Sequence, residues 1–427
     1  MKRRQFASVV VVGAGPAGLA AAIRASESGR QVTVLDDNPS AGGQIWRGEK
    51  DRRSGNDASA WFQKFRTCPA EMITGARLIH GDPERRILSV ETRQEFFEIG
   101  YDKLILATGA REFFLPFPGW TLPNVMGVGG LQALVKSGLP VDGKRIVVAG
   151  TGPLLLAAAA YFRKHGAIVP VIAEQAEWRS VAGFGIRLSK NLGKLFQARS
   201  LRLALRSSRY TFSTWVEAAH GKDRLENAQV RTGAKVWREP CDYLAVGYGL
   251  KPNIELPVLM GCRTQSGVVA VDEFQQTSQE HIYCAGECTG IGGVDKSLIE
   301  GEITGLAAAG LKDSARRLFA KRRKTRQFAN VLDRAFALRP ELRQLPLDGT
   351  IVCRCEDVRW GRLRPMNSWR SAKLESRCGM GPCQGRVCGQ ILEFLLGWHP
   401  ESVRPPVFPA RLESLTQDSE MKESLRT

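Results

Sequence analysis

Two glycine-rich turns, each followed by an acidic strand end, and two pairs of cysteines carry most of the chemistry this sequence can offer. The first turn, Gly13-Ala14-Gly15-Pro16-Ala17-Gly18, lies between the apolar run Val9 to Val12 and an alanine-rich stretch ending near Ser28. Gly13 permits a tight turn and Gly15 lets the backbone approach a pyrophosphate. Gly18 lets the helix pack closely, and Pro16 and Ala17 start that helix with its positive end toward the anion. Asp36 ends the next strand, where a carboxylate can bind a ribose hydroxyl. Turn, strand, helix and acid together predict a bound dinucleotide.

The second turn, Gly150-Thr151-Gly152-Pro153-Leu154-Leu155, keeps two glycines and carries leucine at the third position. Glu174 ends its second strand and suits an unphosphorylated ribose. An adenine nucleotide is expected at Gly150, Gly152, Pro153 and Glu174, either NAD(H) or another such as ATP; the alternative is a degenerate, empty domain. Cys353-Arg354-Cys355 and Cys383-Gln384-Gly385-Arg386-Val387-Cys388 are two thiol pairs on tight turns, able to converge on zinc or on the two irons of a cluster. Cys378, five positions before Cys383, offers a competing pair. The other cysteines, Cys68, Cys241, Cys262, Cys284 and Cys288, read as buried small residues. The histidines are isolated, and no nucleophilic or hydrolytic constellation is present, so no catalytic residue is assigned.

These motifs need a scaffold that repeats. Each turn belongs to a strand-helix-strand unit, and each unit has a later buried strand ending in small residues: Tyr101 to Gly109 for the first, Tyr243 to Gly247 for the second. The predicted fold is α/β, with two doubly wound dinucleotide-binding domains and a small C-terminal module. Residues 1–140 and 265–310 form the first domain and 141–264 an inserted second domain. Residues 311–349 form a basic helical linker, 350–400 the cysteine-rich module, and 401–427 an extended arm and frayed tail.

With 427 residues, 43% of them hydrophobic, the chain has room for two or three domains and reads as soluble. The net charge of +18 raises nucleic acid, a membrane surface or an acidic partner as possibilities. Its densest basic run, Arg316 to Arg326, has one aromatic and no nucleic-acid motif. It reads as a solvated helix face, with an acidic partner or peripheral contact at the inner face of a membrane as the alternative. The signal-like start Met1-Lys2-Arg3-Arg4 is rejected, because processing would remove the glycine turn. No apolar stretch reaches the roughly 18 residues of a membrane span. A cytoplasmic protein with reduced thiols is expected.

Gly42-Gly43-Gln44, Ala107-Thr108-Gly109 and Ala285-Gly286-Glu287 resemble recurrent elements of the two-dinucleotide-domain flavoproteins, which include glutathione reductase and ferredoxin reductases. The resemblance implies FAD at the first turn, with Gly286 and Glu287 at the ribityl chain and pyrophosphate, Gly43 and Gln44 near the isoalloxazine, and Thr108 and Gly109 completing the site. The cysteine pair that disulfide reductases carry after the Gly-Gly turn is replaced here by Ile45-Trp46-Arg47. The stretches around Cys353 and Gly379 to Arg386 resemble the bacterioferritin-associated-ferredoxin type of 2Fe-2S domain, which implies Cys353, Cys355, Cys383 and Cys388 as cluster ligands and leaves Cys378 spare. That module normally ends in Cys-x-x-Cys, whereas this chain has Cys-x-x-x-x-Cys.

Pro118-Gly119-Trp120, Gly249-Leu250-Lys251-Pro252-Asn253 and Gly286 to Gly293 extend the likeness over essentially the whole chain. It resembles the flavin-containing α subunits of heteromeric amine dehydrogenases, among them hydrogen cyanide synthase, opine oxidase and D-hydroxyproline dehydrogenase. The resemblance implies an electron relay that works beside an oxidase-like flavoprotein partner, with a small ferredoxin-like protein as a further partner. It also implies that an amino or imino acid is oxidised at its C–N bond on the oxidase-like partner. Two alternatives remain: a self-sufficient NAD(P)H dehydrogenase, and a flavoprotein whose cysteine module serves docking or iron sensing.

Overall fold

The computed structural model describes residues 3–47, 57–188, 203–400 and 402–417; the end of the arm and frayed tail expected over 401–427 lies outside them. The chain divides into two compact units. One comprises residues 1–111, 252–329 and 401–427, the other 112–251 and 330–400.

The first unit is built on a seven-stranded sheet. Its strands are β1 (Arg3–Val12), β2 (Val32–Asp36), β3 (Glu71–Thr74), β4 (Arg77–Asp82), β5 (Ile87–Glu91) and β6 (Phe96–Leu106), with the short strand Ile282–Cys284 beside β6. The order is β3-β2-β1-β6-β5-β4. The pairs β3-β2, β2-β1, β1-β6 and β6 with Ile282–Cys284 are parallel, whereas β4-β5 and β5-β6 are antiparallel. Strand β2 is buried along its whole length, as its run of Val and Leu requires for a strand covered on both faces. Helix α1 (Pro16–Glu27) crosses from β1 to β2 and packs against the helix Gly293–Ala308 at small residues. A Cβ on Gly301 would stand 2.2 Å from the Ala17 carbonyl oxygen, and one on Gly305 2.3 Å from that of Ala21. Only glycine allows this approach.

The second unit carries a five-stranded parallel sheet ordered Arg209–Thr211, Val171–Glu174, Ile146–Gly150, Tyr243–Gly247, Val125–Gly127. An antiparallel sheet of Thr214–His220, Asn227–Thr232 and Lys235–Pro240 belongs to the same unit. The cysteine-bearing segment shares its core: Val352, Leu363, Trp369, Ile391 and Leu392 pack with Phe117, Val147, Val171 and Trp215, and the Trp120 indole N–H donates to the Ile351 carbonyl at 2.6 Å.

The partition differs from the boundaries read in the sequence. Val125–Gly127 pairs with Tyr243–Gly247 and so joins the second unit, while Pro252 onward returns to the first, with Asn253 bonded to Thr108. The basic segment is shared between the units, dividing after Ala329. Its helix Phe319–Ala335 is not wholly solvated: Arg322 is buried and donates to the carbonyls of Asp272 and Glu273, and Arg326 reaches Glu300 at 3.3 Å. The arm rejoins the first unit, with Val407 buried in its core and its N–H donating to the Ile79 carbonyl at 2.8 Å.

Candidate functional site

The first glycine turn is an open cradle. Gly13 (φ +102°) turns the chain so tightly that a Cβ there would lie 2.3 Å from the Ala107 carbonyl oxygen, and a Cβ on Gly18 would lie 1.7 Å from the Gly13 carbonyl oxygen. At Gly15, by contrast, the nearest atom to a built Cβ is Gly43 Cα at 4.0 Å. Gly15 caps α1 with no side-chain hydrogen bond, and Pro16 occupies the first helical turn, so the first amide N–H groups remain available to an anion. The loop carrying Gly43 is held alongside by the Gly42 N–H, which donates to the Ala14 carbonyl at 2.8 Å. Gly43 (φ +58°) faces Gly15, and Gln44 is exposed.

Around this cradle the other expected residues have fixed partners. The Asp36 carboxylate, nearly buried, accepts from the Ala14 N–H at 2.5 Å and from the Asn38 N–H and side-chain amide at 2.7 and 2.8 Å. Two carboxylate oxygens offer about four acceptor positions, leaving one for a ribose hydroxyl. Thr108 and Asn253 bond reciprocally at 2.6 and 2.8 Å, steadying Gly109, whose missing side chain leaves open space. Gly286 (φ +85°) sits against Ala17, where a Cβ would come within 2.8 Å of the alanine Cβ. Burial raises the Glu287 carboxyl above its usual range, with Lys296 opposing the shift. The cradle, the uncapped helix start and this ring of small residues fit an extended dinucleotide such as FAD.

Sequence reasoning missed the buried group beneath Gly286. Lys296 Nζ lies 2.7 Å from Glu300 Oε2 and also donates to the Gly286 carbonyl and the Thr289 hydroxyl. The signal was present in the Lys-x-x-x-Glu spacing, which puts the two charges on one helix face. Cys262, Cys284 and Cys288, read as buried small residues, lie together in the core of the first unit, where the Cys288 thiol donates to the Ala285 carbonyl at 3.3 Å.

The second turn has different geometry. Gly150, Thr151 and Gly152 are all buried, and Glu174 has no exposed surface. Its Oε1 accepts from the Thr151 hydroxyl at 2.7 Å and the Ala176 N–H at 2.9 Å, and its Oε2 from the Gly152 N–H at 2.8 Å. Burial raises its carboxyl despite these bonds. Pro153 is exposed at the helix start, and Leu155 is buried in the core at the third-glycine position.

Among the cysteines, the sulfurs of Cys353, Cys378 and Cys388 lie within 4.8 Å of one another, all buried. Cys353 ends the strand Ile351–Cys353 and Cys388 begins the helix Cys388–Leu396. Cys378 follows Arg377, whose left-handed conformation (φ 62°) ends the helix Trp369–Ser376. Hydrogen bonds from Cys378 and Cys388 lower the Cys353 thiol far below its ordinary value. Cys355, exposed, and Cys383, half-buried, hydrogen-bond to each other. The four cysteines read as ligands thus fall into two neighbouring pairs, 353 with 388 and 355 with 383, and Cys378, set aside in the sequence, joins the first. Its even spacing, five residues before Cys383 as Cys388 is five after, was the available signal. Zinc requires four donors around one point, and among the described residues three cysteine sulfurs converge. The cysteine cluster is compatible with an iron-sulfur centre.

Among the described residues no helix is long and apolar enough to cross a membrane. A family model described as pyridine nucleotide-disulphide oxidoreductase matches residues 7–309. One of the subunits of opine oxidase from Rhizobium meliloti (strain 1021) is 32% identical, over 94% of this chain and 97% of that protein. The HcnB subunit of hydrogen cyanide synthase from Pseudomonas protegens is 28% identical, over 89% of each. Among solved structures, L-proline dehydrogenase from P. horikoshii superposes with a TM-score of 0.69 at 17% identity, covering 97% of this chain and 80% of that one, which supports the fold.

Proposed function

The chain belongs to the pyridine nucleotide-disulphide oxidoreductase family and is an FAD-dependent oxidoreductase, and from that premise we propose that it is the electron-relaying α subunit of a heteromeric dehydrogenase that oxidises the C–N bond of an amino or imino acid. The observation that carries the reading is the pairing, on one chain, of an open glycine cradle with a buried thiol cluster. The relatives add support, since the two matched over most of their length are named as subunits of hydrogen cyanide synthase and of opine oxidase.

In this reading the N–H groups at the start of α1 bind the pyrophosphate, Gly15 leaves it room, and Asp36 takes a ribose hydroxyl with its remaining acceptor position. Gly286 and Glu287 line the ribityl chain, Gly43 and Gln44 border the ring, and Thr108 and Gly109 complete the wall. Cys353, Cys355, Cys383 and Cys388 hold a 2Fe-2S cluster. FAD takes electrons in pairs and a 2Fe-2S cluster moves them singly, so the two together convert one regime to the other, and the protein sets their environment. The C–N bond is broken on a separate oxidase-like flavoprotein, with D-hydroxyproline, an opine or glycine as the substrate type.

Purification of the native complex tests this. The chain is expected to co-elute with an oxidase-like flavoprotein and to carry FAD, iron and sulfide, with amine-dependent dye reduction following the complex. Elution as a lone chain whose fractions hold all of that activity would contradict the reading.

A further inference from the structure

The second glycine turn keeps the outline of a nucleotide site, but its acid is fully buried and a distant segment of the chain bonds to the turn. In a doubly wound domain the acid at the end of the second strand meets the adenosine ribose, and the N–H groups after the glycines meet the pyrophosphate. Here the acid is sealed from solvent: Glu174 accepts from the Thr151 hydroxyl and from the N–H of Gly152, the second glycine, and has no exposed surface. The neighbouring Gln175, also without exposed surface, ties the turn to a distant segment. Its amide nitrogen donates to the Thr151 hydroxyl at 2.9 Å and to the Ala337 carbonyl at 3.1 Å, and its oxygen accepts from the Arg339 N–H at 3.0 Å. The Phe336 carbonyl stands 3.4 Å from the same hydroxyl.

This segment is anchored at both ends. The Phe336 ring meets Phe184 edge-on, with centroids 5.4 Å apart. The Arg339 guanidinium donates to Glu177 at 3.2 Å and Ser213 at 3.3 Å and lies over the Trp215 ring. We propose that residues 336–339 form a strap that closes the second nucleotide site, so that no adenine dinucleotide enters while the strap is seated and NADH is not the electron source of the folded chain. The proposal goes beyond the relay reading and does not depend on the identity of the amine or the partner. For the second turn it takes the empty-domain alternative, because the acid there is fully buried and the turn is bonded by a distant segment of the chain.

A ligand whose site is open only part of the time binds with an affinity reduced by the open fraction, and that fraction can be altered. The experiment titrates NADH into the FAD-loaded chain and into a Phe336→Gly/Arg339→Gly double variant, following NADH fluorescence and, anaerobically, the flavin band. The wild-type chain is expected to show no saturable binding and no flavin bleaching up to about 1 mM, the upper end of ordinary substrate affinities. The loosened variant is expected to bind at least about tenfold more tightly. Saturable sub-millimolar binding by the wild type overturns the proposal whatever the variant does. So does failure of a folded, FAD-retaining variant to bind, since the site would then be lost rather than closed. If the double variant does not fold, Gln175→Ala, which removes only the bonds to Ala337, Arg339 and Thr151, is judged by the same two outcomes.

Discussion

Lys296 Nζ lies 2.7 Å from Glu300 Oε2, one turn further along the same helix, and neither side chain reaches solvent. Glu300 also accepts from the Gly286 N–H, the Thr289 hydroxyl and Arg326, and Lys296 donates to the Gly286 carbonyl. The ion pair therefore grips both the N–H and the carbonyl of Gly286, the residue proposed to line the FAD ribityl chain. Breaking a buried pair from one side leaves an uncompensated charge and costs about 3–5 kcal/mol. Glu300→Ala should approach that figure in denaturant unfolding and lower FAD retention. Lys296→Met should cost less, because Arg326 still faces the carboxylate. An unchanged unfolding midpoint for Glu300→Ala would refute the role given to the pair.

Gly15 and Gly18 separate the demands of ligand from those of fold. Gly15 has ordinary backbone angles (φ −73°, ψ −176°) and open space at its Cβ position, so Gly15→Ala should fold with a melting temperature near wild type yet bind FAD at least about tenfold more weakly. Gly18→Ala forces a carbon to 1.7 Å from the Gly13 carbonyl oxygen and should prevent folding or displace α1. Normal FAD content in Gly15→Ala, or a stable Gly18→Ala, would contradict this division. Gly15→Glu, which adds negative charge where the pyrophosphate is expected, should lose FAD altogether.

What the sequence made legible follows from the range of each interaction. The first turn could be read because Gly13, Gly15, Gly18 and Asp36 fall at a recurring spacing within one strand-helix-strand unit. The sealing of the second turn could not, because Gln175 meets Arg339 across 164 positions and nothing local to either residue announces the contact. Residue type does not report burial at Glu174: an acid ending the second strand reads the same whether it borders solvent, as Asp36 does, or is wholly enclosed. The cysteine spacing named a metal-binding module but could not say which sulfurs share a side, since Cys378 approaches Cys353 only after the helix Trp369–Ser376 folds back. The basic helix was read from composition as solvated, yet Arg322 is buried among carbonyls supplied by Asp272 and Glu273.

Iron content tests the thiol assignment. Cys383→Ser/Cys388→Ser removes one sulfur from each pair and should abolish the 2Fe-2S absorption and bound iron while leaving FAD stoichiometric, because the cradle lies in the other unit. Cys378→Ser should keep about two irons per chain. Full iron in the double variant, or none in Cys378→Ser, would reassign the ligands.

The arm carries a pH dependence with a definite sign. Burial alone would raise the Glu91 carboxyl, but bonds from the Ser414 hydroxyl and from the backbone and guanidinium of Arg411 outweigh it and hold it below the usual carboxylate range. A depressed carboxylate contributes stability that is present above its unfolded value of about 4.3 and lost as pH falls through the folded value. The protection factor of the Arg411 amide should therefore hold from neutral pH down to about 4.3 and fall below it, as pH approaches the lower folded value of the carboxylate. Glu91→Gln should show faster exchange already at neutral pH. Protection of Arg411 that is insensitive to both changes would mean the arm is held by Val407 and its neighbours alone.

The relay account is tested most directly by anaerobic mixing of the isolated, FAD-loaded chain with D-hydroxyproline, an opine or glycine while the flavin band is followed. The account predicts that the band stays unchanged with every one of these amines, and that it bleaches when the oxidase-like partner is added to the mixture with its substrate. Rapid bleaching by any of them in the absence of a partner would mean that the chain has its own amine site, contradicting the account.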